Sequence, residues 1–321
     1  MGRRTGDDVN MKLAMVFPGQ GSQAVGMVKA YAGLPGVEAV VAQARAALGD
    51  DFIRLLDEGP AEQLGLTVNT QPAMVTAGFA AYRAWRESGG PEPEVVAGHS
   101  LGEYTALVAA GALSFADCLP LVRFRAQSMQ EAVPEGVGAM AAILNLDDEL
   151  VRAACEEASQ GEVVQAVNFN SPGQIVIAGH KAAVARAMEA CKARGAKRVL
   201  PLPVSAPFHS SLMQPAADRL KAYLDKVAFS PARIPLLHNV DVQANGDAAA
   251  IRSALVRQAA APVLWANTIR AMAKAGVTHV LECGPGKVLA GMVKRIDGNL
   301  HGIALADKAS LEQALSTIRG A

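Results

Sequence analysis

Gly98-His99-Ser100-Leu101-Gly102 follows directly on the apolar run Val95-Val96-Ala97, and a helical pattern comes straight after it. This G-x-S-x-G spacing constrains the local fold closely. A serine on a sharp strand-to-helix turn projects its hydroxyl into open space, and flanking glycines let the backbone bend without a Cβ clash. The helix behind the turn aims its first amides at the place where a tetrahedral oxyanion would form. The pentapeptide therefore points to covalent acyl chemistry. A glycine-bounded turn without catalysis fits the same five residues, so the rest of the chain has to decide.

Strands and helices alternate through the outer parts of the chain. Leu13-Ala14-Met15-Val16-Phe17 reads as a buried strand ending in the loop Pro18-Gly19-Gln20-Gly21-Ser22-Gln23. Helical patterns cover 37–48 and 60–88, a strand 94–98, and further helices 102–111 and 114–132. Such alternation implies parallel strands with both faces covered. The middle differs. Strands at 140–144, 163–168, 174–178 and 197–202, with helices at 147–159 and 181–194, give the ferredoxin-like order βαββαβ. Beyond it come a helix over 210–227, a strand at Ile234–Leu237, helices at 247–259 and 265–275, a strand at 278–281 and a final strand–helix pair. The expected fold class is α/β. A hydrolase-like core of 11–135 and 205–321, a parallel sheet flanked by helices, carries an inserted ferredoxin-like subdomain at 136–204. Residues 1–10 are polar, carry both charge signs and read as a disordered extension; Met11 is an alternative start.

The 321 residues carry 30 Lys+Arg against 30 Asp+Glu, so no charge field favours nucleic acid or a membrane surface. Four scattered cysteines (Cys118, Cys155, Cys191, Cys283) form no C-x-x-C pair. That argues against a zinc site or disulfide framework, fits a reducing cytoplasm, and leaves all four as inert core residues. No apolar run is long enough to span a bilayer, and no signal-peptide core opens the chain.

A serine hydroxyl needs a base within hydrogen-bond reach. Of the six histidines, His209 stands out, because Ser205-Ala206-Pro207-Phe208-His209-Ser210-Ser211 is a loop leading into a helix. A helix-capping or core histidine is the alternative. His99 adjoins the serine, but its side chain must leave the turn in another direction. The other four (His180, His238, His279, His301) read as structural or surface residues. Gly19 and Gly21 flank Gln20, so the backbone there can approach a ligand closely; a plain tight turn fits equally well. Arg125 shares a helical face with Val122 and Met129, and must find an anion or snorkel to water. Arg123 points elsewhere and is expected at the surface. Lys192, Arg194, Lys197 and Arg198 form a basic cluster that could meet an acidic partner or simply be solvated.

Taken together, Phe17-Pro18-Gly19-Gln20-Gly21-Ser22-Gln23, Gly98-His99-Ser100-Leu101-Gly102-Glu103, Arg125 with Met129-Gln130-Glu131-Ala132-Val133-Pro134, Asn168-Phe169-Asn170-Ser171-Pro172-Gly173-Gln174, His209 and Gly284-Pro285-Gly286-Lys287 resemble the malonyl-CoA:acyl-carrier-protein transacylase family of type II fatty-acid synthesis. Acyltransferase domains of polyketide synthases share several of these segments. The resemblance runs from Met11 to the C-terminus. It implies Ser100 as nucleophile and His209 as base, with the amides of Gln20 and Leu101 as oxyanion hole. Arg125 would grip the malonyl carboxylate, and Gln258, Asn168 and His99 complete the expected substrate-binding set. A main-chain carbonyl near Gln258, rather than a carboxylate, would orient the imidazole. With no buried anion behind it, the base should have a less strongly raised pKa. No metal or redox cofactor is implied; malonyl-CoA is the substrate, acyl carrier protein the partner, and a monomer the assembly. The rival readings are a serine thioesterase or hydrolase, an acyltransferase for another extender unit such as methylmalonyl-CoA, and a catalytically degenerate carrier-binding scaffold.

Overall fold

A computed structural model of the chain describes residues 11–204 and 206–320. The extension expected at 1–10 lies outside the described residues. The strands are β1 Leu13–Phe17, β2 Val95–Gly98, β3 Gly138–Leu144, β4 Val164–Ser171, β5 Gln174–His180, β6 Arg198–Pro201, β7 His279–Cys283 and β8 His301–Leu305. The helices are α1 Val37–Leu48, α2 Asp50–Glu58, α3 Ala61–Leu64, α4 Thr67–Glu87, α5 Gly102–Ala109, α6 Phe115–Gln130, α7 Asp148–Ser159, α8 Lys181–Ala193, α9 Gln214–Leu224, α10 Ala248–Ala259, α11 Trp265–Lys274, α12 Val288–Ile296 and α13 Lys308–Arg319.

One sheet has the order β2-β1-β7-β8 and is parallel throughout. Its central strand shows why. In β1 all five residues are buried; Leu13, Met15 and Phe17 pack into one apolar cluster, Ala14 and Val16 into another. Side chains alternate across a strand, so β1 needs helices on both faces. The second sheet, β4-β5-β3-β6, is antiparallel. Ala141, Ile143, Ile175 and Ile177 on one of its faces pack with Val151, Ala154 and Ala158 of α7 and Ala183, Val184 and Ala187 of α8. Met140, Val167, Val176 and Ala178 face the other way, toward Leu202, Val204 and Phe208. A main-chain seam joins the two parts: Phe169 N–H donates to the Val263 carbonyl (3.0 Å) and Val263 N–H to the Val167 carbonyl (2.8 Å).

Several elements differ from the sequence expectation. The helix expected over 60–88 breaks at Gly65-Leu66, where Leu66 is extended, into α3 and α4. Helix α2 was not expected at all. The helix expected over 210–227 begins as a 3₁₀ turn at Ser211–Met213 and ends at Leu224. The strand expected at Ile234–Leu237 is reduced to a bridge between Val96 and Leu236. Pro235 offers its carbonyl to Val96 N–H (2.9 Å) but has no N–H to extend a ladder.

Candidate active site

Ser100 sits where β2 turns into α5, at the C-terminal ends of the parallel strands, where open α/β sheets place their ligands. The turn is tight enough to dictate its glycines. A Cβ on Gly98 would lie 1.8 Å from the Gly102 carbonyl carbon, and one on Gly102 would lie 2.0 Å from the Phe17 carbonyl oxygen. Gly19, after β1, would meet the His99 carbonyl at 2.7 Å, so only glycine lets the Gln20 loop close onto the serine turn. Ser100 (φ 52) and His209 (φ 63) both hold left-handed backbone conformations. Strain of that kind at two non-glycine residues gathers at sites that need a fixed geometry.

These two residues meet. Ser100 Oγ lies 2.7 Å from His209 Nε2, and His209 Nδ1 lies 2.9 Å from the Gln258 carbonyl oxygen. A carbonyl only accepts, so Nδ1 carries the proton and Nε2 is left to accept from the serine hydroxyl. Burial, with Arg125 close by, pushes the His209 pKa down to about 3. The sequence reading expected a weaker rise; the direction is in fact reversed, because burial disfavours the charged imidazolium and the Arg125 cation adds to that effect.

Arg125 is 1 % exposed. Its Nη2 donates to Ser100 Oγ (3.2 Å) and to Gln258 Oε1 (3.0 Å), and its Nη1 to Gln71 Oε1 (2.9 Å). Its guanidinium carbon stands 5.2 Å from the centre of the Tyr104 ring. Every one of these partners is neutral. Among the described residues no carboxylate oxygen comes within ion-pair distance of it, and its Nε has no hydrogen-bond partner. Burial lowers its pKa from the ordinary value.

Gln20, Leu101, Asn168 and His99 line the same cavity of about 150 Å³ as Ser100, Arg125 and His209. The structure therefore brings together all the expected residues; Gln258 joins through its bonds to His209 and Arg125. Asn168 is 7 % exposed, and its Oδ1 has no partner. His99 turns away from the serine, as expected, and its Nε2 pairs with Asn170 Oδ1 at 2.7 Å. An adjoining cavity of about 230 Å³, lined by Pro18, Ser22, Asn170, Gln174 and Val288, shares Gln20, His99 and Asn168 with the first.

Four neighbours were missed from the sequence. Gln71 holds the guanidinium; Asn239 Oδ1 accepts from Ser100 N–H (2.7 Å); Glu103 and His238 pair at 2.7 Å beneath the turn. Gln71 had a signal, being a buried amide within the apolar stretch of α4. Arg123, expected at the surface, is half-buried with its guanidinium 5.7 Å from the Phe52 ring centre. In the basic cluster, Lys192 pairs with Glu189 and Arg194 with Glu157. All four cysteines are buried and free.

The acyl transferase domain model matches residues 14–303, nine-tenths of the chain, and so spans both sheets and every residue of the site. The chain belongs to the acyl transferase family. This acyl transferase is 55 % identical over 306 residues to the malonyl CoA-acyl carrier protein transacylase of Salmonella typhimurium, covering 95 % of this chain and 99 % of that one. It is 45 % identical over 310 residues to the Bacillus subtilis protein of the same name, with 96 % and 98 % covered. The crystal structure of acyl-carrier-protein S-malonyltransferase from Burkholderia pseudomallei superposes with a TM-score of 0.93 at 60 % identity, covering 95 % of this chain and 100 % of that one. A type II PKS acyl-carrier protein in complex with its malonyl-transacylase also superposes with the acyl transferase, at a TM-score of 0.93 and 51 % identity, with 95 % and 99 % covered.

Proposed function

We propose that this acyl transferase moves a malonyl group from malonyl-CoA to the phosphopantetheine thiol of acyl carrier protein through a malonyl-serine intermediate. The observation that carries the reading is the buried Arg125 guanidinium, satisfied only by neutral acceptors and 3.2 Å from the nucleophile. A buried permanent cation without a counter-ion favours a substrate that brings one, and the malonyl carboxylate does. Ser100 Oγ attacks the thioester carbonyl while His209 Nε2 takes its proton. The amides of Gln20 and Leu101 receive the oxyanion. The C–S bond breaks, and His209 returns the proton to the departing CoA thiolate. The carrier thiol then gives its proton to His209, attacks the malonyl ester and frees Ser100, which recovers the proton. No redox or metal step enters this sequence. The second cavity, which shares Gln20, His99 and Asn168 with the first, suits the thioester arm, and the free Asn168 Oδ1 offers an acceptor to one of its amides.

Transfer is favoured over hydrolysis because His209 leans on the Gln258 carbonyl and, among the described residues, on no carboxylate; Glu103 beneath the turn is paired with His238 instead. We also infer that residues 136–204 form a ferredoxin-like subdomain inserted in the core; the strand order β4-β5-β3-β6 with α7 and α8 on one face supports it. A cytoplasmic monomer is the assembly this reading expects; among the described residues no helix is long and apolar enough to cross a membrane.

The test is intact-mass analysis after brief mixing with malonyl-CoA. A single malonyl adduct on Ser100 is expected, absent from Ser100→Ala, and discharged by thiol acceptor faster than by water. Turnover without an adduct, or release of free malonate at the same rate with and without acceptor, overturns the reading.

A further inference from the structure

The amide clamps on Ser100 are themselves held by a buried ion pair. Ser100 has a left-handed backbone, so neither of its peptide groups settles into a strand ladder. Its N–H donates to Asn239 Oδ1 (2.7 Å) and its carbonyl accepts from Gln258 Nε2 (2.9 Å). A side-chain amide can rotate its oxygen and nitrogen end for end, which would turn either clamp into a repulsion. Two fixed partners prevent this. Asn239 Nδ2 donates to the Gly98 carbonyl (2.7 Å), and Gln258 Nε2 donates to Glu103 Oε2 (2.8 Å). A carboxylate only accepts, so Glu103 forces the NH₂ of Gln258 toward Ser100 and leaves its Oε1 for Arg125. Glu103 Oε2 also accepts from Asn239 N–H at 3.1 Å, fixing the backbone that carries the second clamp.

Glu103 is fully buried, and a lone carboxylate there would be costly. His238, 2 % exposed, meets it. Nδ1 lies 2.7 Å from Glu103 Oε1 and Nε2 lies 3.0 Å from the Asn245 carbonyl. Both partners are acceptors, so both ring nitrogens must donate, and the ring is an imidazolium.

We propose that Glu103, neutralised by the His238 imidazolium, is a positioning residue for acylation: it sets the orientation of the Gln258 amide and the backbone at Asn239, and through them the main-chain conformation from which the Ser100 hydroxyl projects. Glu103 touches none of the reacting atoms. The proposal rests on Ser100 being the nucleophile. It also couples that geometry to pH. Burial pulls the His238 pKa down, but the Glu103 hydrogen bond and charge outweigh this, helped by the Asn245 carbonyl and Asp241, and the balance is raised. The other charged or titratable groups around the pair are Arg125 and Tyr104, and Arg257 on Asp241. Loss of the His238 proton leaves Glu103 an unbalanced buried anion, so Ser100 should lose reactivity as pH rises.

The experiment labels the full-length protein with a fluorophosphonate probe, which reports serine reactivity without needing the malonyl carboxylate. Failure of the wild-type protein to label at Ser100 overturns the nucleophile assignment itself. With wild-type labelling established, Glu103→Gln should label about a hundredfold more slowly. It should lower kcat for malonyl transfer by a similar factor with KM within about threefold, and lose the alkaline fall in rate. His238→Asn, which keeps a donor toward Glu103 without a titratable ring, should also lose the alkaline fall. Folded Glu103→Gln that labels at the wild-type rate, or either variant keeping the wild-type alkaline limb, overturns the positioning role. Should neither variant fold, ¹⁵N shifts of the His238 ring in the wild-type protein at pH 7.5 decide: two protonated nitrogens support the pair, and a neutral ring overturns it.

Discussion

At the residue scale the site is defined by what each polar atom can and cannot do. The Gln258 carbonyl can only accept, which assigns the His209 tautomer; the Glu103 carboxylate can only accept, which assigns the Gln258 amide. Arg125 is the residue whose needs the protein leaves partly unmet. Arg125→Lys keeps the charge but loses the two-pronged fork, so kcat/KM for malonyl-CoA should fall about a hundredfold while transfer from acetyl-CoA changes little. Arg125→Ala should lose malonyl transfer more completely and spare acetyl transfer in proportion. Steady-state kinetics with both thioesters check this; equal losses would make the residue structural. The sequence made Ser100, His209 and Arg125 legible, through a motif, a loop position and a charge on an apolar face. His238 was set aside as structural because nothing in one dimension shows that a histidine far along the chain lies against Glu103.

Elements place those residues through close backbone approach. The crossing of the serine turn beneath the end of β1 leaves no room at Gly102. Gly102→Ala should therefore prevent soluble expression or lower the melting temperature by more than about 5 °C, a loss seen by calorimetry or by failure to purify. Helix α10 carries Gln258 and is capped at its start by Asp247, whose side chain accepts from Ala250 N–H at 2.9 Å. Asp247→Ala should cost about 1 kcal/mol in urea unfolding and leave KM for malonyl-CoA unchanged, since the cap is remote from the cavity. Most strands and helices were readable from periodicity. The exceptions have local causes. Gly65 with extended Leu66 splits a helix whose apolar pattern runs on. Pro235 silences a strand whose composition is right.

Across the whole molecule, two buried histidines pull stability in opposite directions. His209 has a folded pKa of about 3 against an ordinary 6.5, so between these values the unfolded chain binds more protons. Its contribution is fully present above pH 6.5 and is lost as pH falls toward 3. His238 is shifted upward, so its contribution is fully present below 6.5 and is lost as pH rises through its folded value. Melting temperature should therefore peak near neutrality and fall on both sides. His209→Gln should flatten the acid side and His238→Asn the alkaline side; a wild-type curve that rises steadily across the range would contradict both assignments.

The chain's own order of residues determined the α/β class and the glycine-bounded serine turn, because periodicity and close-approach glycines are local demands written in neighbouring positions; the family was legible in the resemblance of its motif segments. Only the tertiary structure decided which histidine holds a proton, which amide faces which way, and that Arg125 lacks a counter-ion. Those properties depend on burial and on partners far along the chain, from 49 residues for His209 and Gln258 to 155 for Gln258 and Glu103, and charge in a dry interior is set by what surrounds it in space.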